Sequence, residues 1–132
     1  MSKPHSEQKT VVIFDERFAL GAIADRLESR GIKTTFVDPS SLYSRTHENY
    51  TMSALIFEPY HVMIEQDPPI FREALDALIE KAIADKAIKV VLTTQDEQDI
   101  NKNGIRRGEH YDHFVQKPDC IEGILKAISY VH

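Results

Sequence analysis

Five residues carry the chemistry this sequence has to offer: Asp15, Glu16, Glu58, Thr94 and Lys117. Three carboxylates, one hydroxyl and one ammonium form a coherent set, because gathered oxygens suit a hard divalent cation and a lysine suits an anionic group. Their formal charges sum to −2, so a cluster of them either attracts a divalent cation or raises a carboxylate pKa. Both outcomes are open at this point. Taken singly, Asp15 reads equally well as a helix cap, Thr94 as a β-former at a strand end, and Lys117-Pro118 as a surface turn. Their shared position, each at or just after the end of a short apolar run, favours a common site.

The elements that must position them follow from hydrophobic periodicity. Short apolar runs alternate with longer segments whose apolar residues recur at three and four, the pattern of an α/β domain. The VVIF run at 11–14 is continuously apolar, as a strand covered on both faces of a parallel sheet should be. Residues 32–37, 53–57, 90–92 and 114–115 supply four further strands. Phe18, Ile23 and Leu27 share a helical face that Gly31 terminates, and Asp38-Pro39-Ser40-Ser41 opens a second helix running through Tyr50. Residues 70–84 give the clearest helical pattern, 96–107 a short or irregular one, and Ile121, Ile124, Leu125, Ile128 and Val131 the stripe of a last helix. The alternation fits a doubly wound five-stranded parallel sheet with about five helices, and the expected arrangement is the flavodoxin-like order 2-1-3-4-5. Residues 11–132 form one domain behind a polar arm at 1–10. Ligands of such sheets bind beyond the carboxyl ends of the strands, where the five residues fall.

Composition excludes several functions. The 132 residues are 42% apolar and 28% charged, with a formal charge of −5, as in an ordinary acidic globular domain. Acidity disfavours nucleic acid as a partner, since phosphate binding needs clustered cations and only Arg106 and Arg107 adjoin. No apolar stretch approaches the roughly 18 residues of a membrane span, and the first ten residues lack the apolar segment of a secretory signal. The expected location is cytoplasmic, and the single cysteine, Cys120, agrees with a reducing compartment. His110, Asp112, His113 and Cys120 lack zinc-type spacing and read as a solvated loop. No glycine-rich phosphate loop or nucleophile-elbow motif occurs.

With VVIFDE, SALIFE, VVLTT and FVQKP at its strand ends, the chain resembles a response-regulator receiver domain of two-component signalling over about residues 11–131. The resemblance puts Asp15 and Glu16 in the family's metal-binding acidic pair, with the backbone carbonyl of Tyr60 as a further ligand. It puts Glu58 where the family has its phosphoryl-accepting aspartate. Thr94 takes the hydroxyl position, or Thr93 if the register shifts by one, and Lys117 takes that of the lysine contacting the phosphoryl group. Phe114 takes the place of the switch aromatic.

Three departures qualify what the resemblance implies. Glu58 replaces aspartate, PYHVMIEQDPP lacks the usual proline-then-glycine pattern, and Arg107-Gly108-Glu109-His110 stands where a compact Gly-Ala turn is usual. The extra methylene of Glu58 moves its carboxylate outward by about 1.5 Å. A misplacement of about 1 Å can cost on the order of 100-fold in rate. Efficient acyl-phosphate formation is therefore not expected. Glu58 instead either mimics the activated state beside Lys117 and Thr94 or neutralises Lys117 and leaves the domain silent.

The expected protein is a stand-alone, atypical receiver module acting in signal transduction by protein–protein interaction. It is not an enzyme, requires no cofactor and holds Mg²⁺ weakly if at all. No output domain follows the last helix, so the signal should pass to another polypeptide through the face of the fourth helix, fifth strand and fifth helix. A membrane partner is not expected, and a homodimer is a further option. One alternative is a phosphorylation-competent receiver in a phosphorelay, and another a flavodoxin-like enzyme or cofactor binder.

Overall fold

The computed structural model describes residues 9–14, 17–37, 51–59, 69–116 and 120–129. Its strands are β1 (Lys9–Phe14), β2 (Thr34–Val37), β3 (Thr51–Phe57), β4 (Ile88–Thr93) and β5 (His113–Gln116). Its described helices are α1 (Arg17–Ser29), α2 (Pro69–Ala84), α3 (Glu97–Lys102) and α4 (Cys120–Ser129). The helix expected through Tyr50 lies outside the described residues, as does the arm before Lys9. All strand pairs are parallel, in the expected order β2-β1-β3-β4-β5.

Period-two alternation divides the apolar runs between two cores. Val12, Phe14, Leu55, Phe57 and Val91 face α2 and pack on its Ala74, Leu75 and Leu78. Val11, Ile13, Ala54, Ile56, Val90 and Leu92 face the other way, onto Ile23 and Leu27 of α1 and Ile124 and Ile128 of α4. The central strands β1, β3 and β4 thus carry uninterrupted apolar runs because both of their faces are covered, whereas the edge strands β2 (TTFV) and β5 (HFVQ) do not. No described helix is long and apolar enough to cross a membrane.

The strands extend past their apolar centres wherever polar residues still pair. Lys9 opposes Thr51 and Lys89 opposes Leu55, so β1 and β4 begin earlier than hydrophobicity alone indicates. Strand β2 begins later than expected, at Thr34, because the Ile32 N–H closes α1 instead. It donates to the Leu27 carbonyl at 3.0 Å, while the Gly31 N–H donates to the Glu28 carbonyl at 3.0 Å. Gly31 at φ 82° allows this reversal, and Leu27 with Ile32 supplies the accompanying apolar contact. The same pair of bonds closes α3, from Ile105 to Ile100 and from Gly104, at φ 89°, to Asn101.

Candidate functional site

Register brings the strand ends to one edge of the sheet. Phe14 opposes Phe57, Phe57 opposes Val91, and Thr93 opposes Gln116. Glu58 follows Phe57 directly; it is only 8% exposed and donates its backbone N–H to the Phe14 carbonyl at 3.4 Å. Burial of a carboxylate at this depth requires a polar or charged partner. Asp15, Glu16, Tyr60 and Lys117 lie outside the described residues. Among the described residues, Glu58, Thr93, Thr94 and Phe114 represent the expected site. No group of three or more His, Cys, Asp or Glu side chains gathers among them as a metal site.

The two candidate hydroxyls part company at the end of β4. Val91 faces α2, so Thr93, two positions on, continues the same face. Thr93 is fully buried, and its Oγ1 accepts the Gln95 N–H at 3.1 Å, which leaves the hydroxyl proton available to donate. Phe114 pairs with Val91 and rests half-buried against the same core. Thr94, the first choice from sequence, lies just beyond the strand and is exposed. The structure therefore brings Thr93, rather than Thr94, to the face that carries Phe114.

A second cluster, unmarked in the sequence, supports the connection into β5. The Tyr111 ring is fully buried, and its hydroxyl donates to Glu97 Oε2 at 2.6 Å, with Asn101 Oδ1 at 3.3 Å. Arg107 Nε and Nη2 donate to the same Glu97 oxygen, each at 2.9 Å, and the guanidinium lies 5.4 Å from the Tyr111 ring centroid. These bonds hold the Glu97 carboxyl below its ordinary range, Arg107 first among the causes, and raise Arg107 in turn. Burial first, and then the hydrogen bond to Glu97, push the Tyr111 phenol well up, so Tyr111 is a neutral donor. Arg107 Nη1 also donates to the Asp112 carbonyl at 3.1 Å.

The expected solvated loop around His110 and Asp112 is thus a structured one. His110 Nδ1 accepts the Arg106 N–H at 2.9 Å, and Arg72 Nη2 of α2 donates to the Gly104 carbonyl at 3.2 Å. Asp112 Oδ2 accepts the Lys89 N–H at 2.9 Å and lies 3.5 Å from the nearly buried Lys89 Nζ. The Asp112 N–H returns a bond to the Lys89 carbonyl at 2.7 Å. Polar residues in a turn-rich stretch look solvated until the partners, here 23 positions away, are known. The one local hint was Tyr111, a large aromatic inside a polar segment.

Beyond Phe114, the β5–α4 contact is close. A Cβ on Gly123 would stand 2.9 Å from Val115 Cγ1, a distance that only glycine permits without a shift. Beside it, His113, Phe114, Val115, Lys126 and Ala127 line a cavity of about 240 Å³.

No family model matches the chain, and no curated protein matches its sequence. Solved structures do match. A CheY-like response regulator from Mesorhizobium loti superposes with a TM-score of 0.67 at 13% identity, over 96% of this chain and 100% of that one. A response-regulator receiver protein from Sinorhizobium medicae gives 0.65 at 14%, over 97% and 96%. The receiver domain of a sensor histidine kinase from Pseudomonas aeruginosa, with a magnesium ion in its active-site cleft, gives 0.64 at 14%, over 94% and 96%. At these identities the likeness is one of fold: the chain has the flavodoxin-like, CheY-like fold of receiver domains.

Proposed function

We propose that the chain is an atypical receiver module that acts in signal transduction by binding other proteins, without conventional aspartyl phosphorylation and without turnover of its own. The observation that carries this reading is the buried placement of Glu58 at the end of the central strand, one residue past the Phe14–Phe57 pair. Glutamate there is about one methylene too long for in-line attack. Its charge stands partway to where a phosphoryl group would be, near the strand end that carries Thr93. The matched solved structures, several described as receiver domains, support the same reading.

In this reading Thr93 is the hydroxyl that answers the charge, Lys117 its cation, and Phe114 the group that reports it to the surface formed by α3, β5 and α4. No cofactor is required. Asp15, Glu16 and the Tyr60 carbonyl would hold a divalent cation such as Mg²⁺, which neutralises charge at an anionic group, but only weakly beside Glu58. The partner is a signalling protein that takes the α3–β5–α4 face. Nucleic acid and membrane play no part.

The test compares native protein with Glu58→Gln, which keeps the side-chain size and removes the charge. Proteins retained from a lysate of the source cell are identified and their affinities measured on both forms. Coupling of about 1 to 3 kcal/mol between site and surface predicts a binding loss of roughly 5- to 150-fold. Equal affinities would show a passive scaffold whose surface ignores Glu58.

A further inference from the structure

Helix α3 has only six residues, too few to be stable through its own hydrogen bonds. Its N-cap residue, Asp96, makes no side-chain capping bond. Apart from the buried Ile100, what holds it comes largely from the chain that leads into β5 or lies within it. At its start, Gln116 Nε2 donates to Asp96 Oδ1 at 3.2 Å and to the Gln95 carbonyl at 3.3 Å. In its first turn, Glu97 takes the Tyr111 hydroxyl and the Arg107 guanidinium. At its end, Arg72 holds the Gly104 carbonyl.

We propose that Glu97, Tyr111 and Arg107 form a latch that fixes α3 to the entry of β5, so that the surface beside Phe114 is held in one arrangement by a local polar lock. Arg107 opens the segment Arg107-Gly108-Glu109-His110, and Tyr111 follows it directly. Its members differ in weight. The Arg107–Glu97 pair is partly exposed, with the Arg107 side chain at 52%, and water screens it. The Tyr111 hydroxyl is buried and meets an ionised acceptor, which makes it the stronger member. Its other acceptor, Asn101, also lies in α3, so opening the helix strips that buried hydroxyl of both acceptors, and α3 opens rarely while the latch is in place.

Amide hydrogen exchange on the full chain tests this, with native protein compared with Tyr111→Phe and Glu97→Ala. Alanine is a better helix former than glutamate, so a loosened α3 in that variant does not reflect helix propensity. The latch predicts that the Asn103, Gly104 and Ile105 amides, bonded to α3 carbonyls, exchange about 10-fold faster in Tyr111→Phe and about 10- to 100-fold faster in Glu97→Ala. The amides of β1 and β3 keep their native rates. Should either variant fail to fold, Arg107→Gln, at an exposed position, is expected to show the same local effect at about 2- to 5-fold. Unchanged exchange at these three amides, or an equal rise throughout the sheet, would overturn the proposal. Neither result depends on whether the surface binds a partner.

Discussion

Asp112→Ala is expected to destabilise the fold by about 2 to 3 kcal/mol, a large effect for a residue more than one-third exposed. The reason lies in what it leaves behind. Lys89 sits within β4 with 9% of its side chain exposed, and Asp112 Oδ2 is both its ion-pair partner at 3.5 Å and the acceptor of its backbone N–H at 2.9 Å. Alanine removes both interactions at once and leaves a nearly buried ammonium beside an unpaired amide. Breaking a fully buried pair costs about 3 to 5 kcal/mol, and the exposed side of Asp112, which lets water reach the Lys89 ammonium, brings the expectation below that range. Lys89→Met should by contrast be neutral or mildly stabilising, because it removes the charge and keeps the volume. Urea midpoints with an unchanged slope measure both. In the Lys89→Met background Asp112→Ala should cost only about 1 kcal/mol, the worth of the backbone bond. The same loss in both backgrounds would show that the ammonium is not what Asp112 serves.

Gly123→Ala is the second. A mid-helix glycine is about 1 kcal/mol worse than alanine, so propensity alone predicts that the substitution stabilises α4. Contact predicts the reverse. The new Cβ would meet Val115 Cγ1 at 2.9 Å and Cγ2 at 3.3 Å. Val115 is β-branched, buried and fixed in β5, so neither methyl can swing away without moving the strand. Overpacking of this kind costs about 1 to 3 kcal/mol, and set against the gain of about 1 kcal/mol it leaves a net loss of up to about 2 kcal/mol. Thermal unfolding reads it directly. In a Val115→Ala background the obstruction is gone, and Gly123→Ala should then stabilise by up to about 1 kcal/mol.

What the sequence shows and what it hides divide along a physical line. Strands and long helices are legible because the apolar residues that define them are consecutive or regularly spaced, as in VVIF and in residues 70–84. Alternation marks a parallel, doubly wound sheet but does not by itself fix the order of its strands. Strand ends are less legible, since pairing continues through polar residues such as Lys89 that no hydrophobic pattern marks. That uncertainty of one residue is what left Thr93 and Thr94 undecided: a shift of one moves a side chain to the opposite face. The face of Phe114 belongs to Thr93 because both share the side of Val91. Glu58 was legible as a strand-end carboxylate, but not its burial. Apart from the hint of Tyr111 itself, the Tyr111 cluster was not legible, because Glu97 and Tyr111 are 14 positions apart and join only through the turn at 103–110. Asp15, Glu16, Tyr60 and Lys117 lie outside the described residues, so their roles rest on the resemblance alone.

The proposed role of Glu58 is that of a fixed charge in place of a phosphoryl acceptor. Intact-mass measurement after incubation with a small acyl phosphate and Mg²⁺ tests it most directly. The native chain should keep its mass, because a carboxylate displaced by about 1.5 Å loses on the order of 100-fold in attack rate. Glu58→Asp should recover the added phosphoryl mass at least in part. A phosphoryl group on the native chain that disappears in Glu58→Gln would contradict the account and make Glu58 an acceptor in its own right.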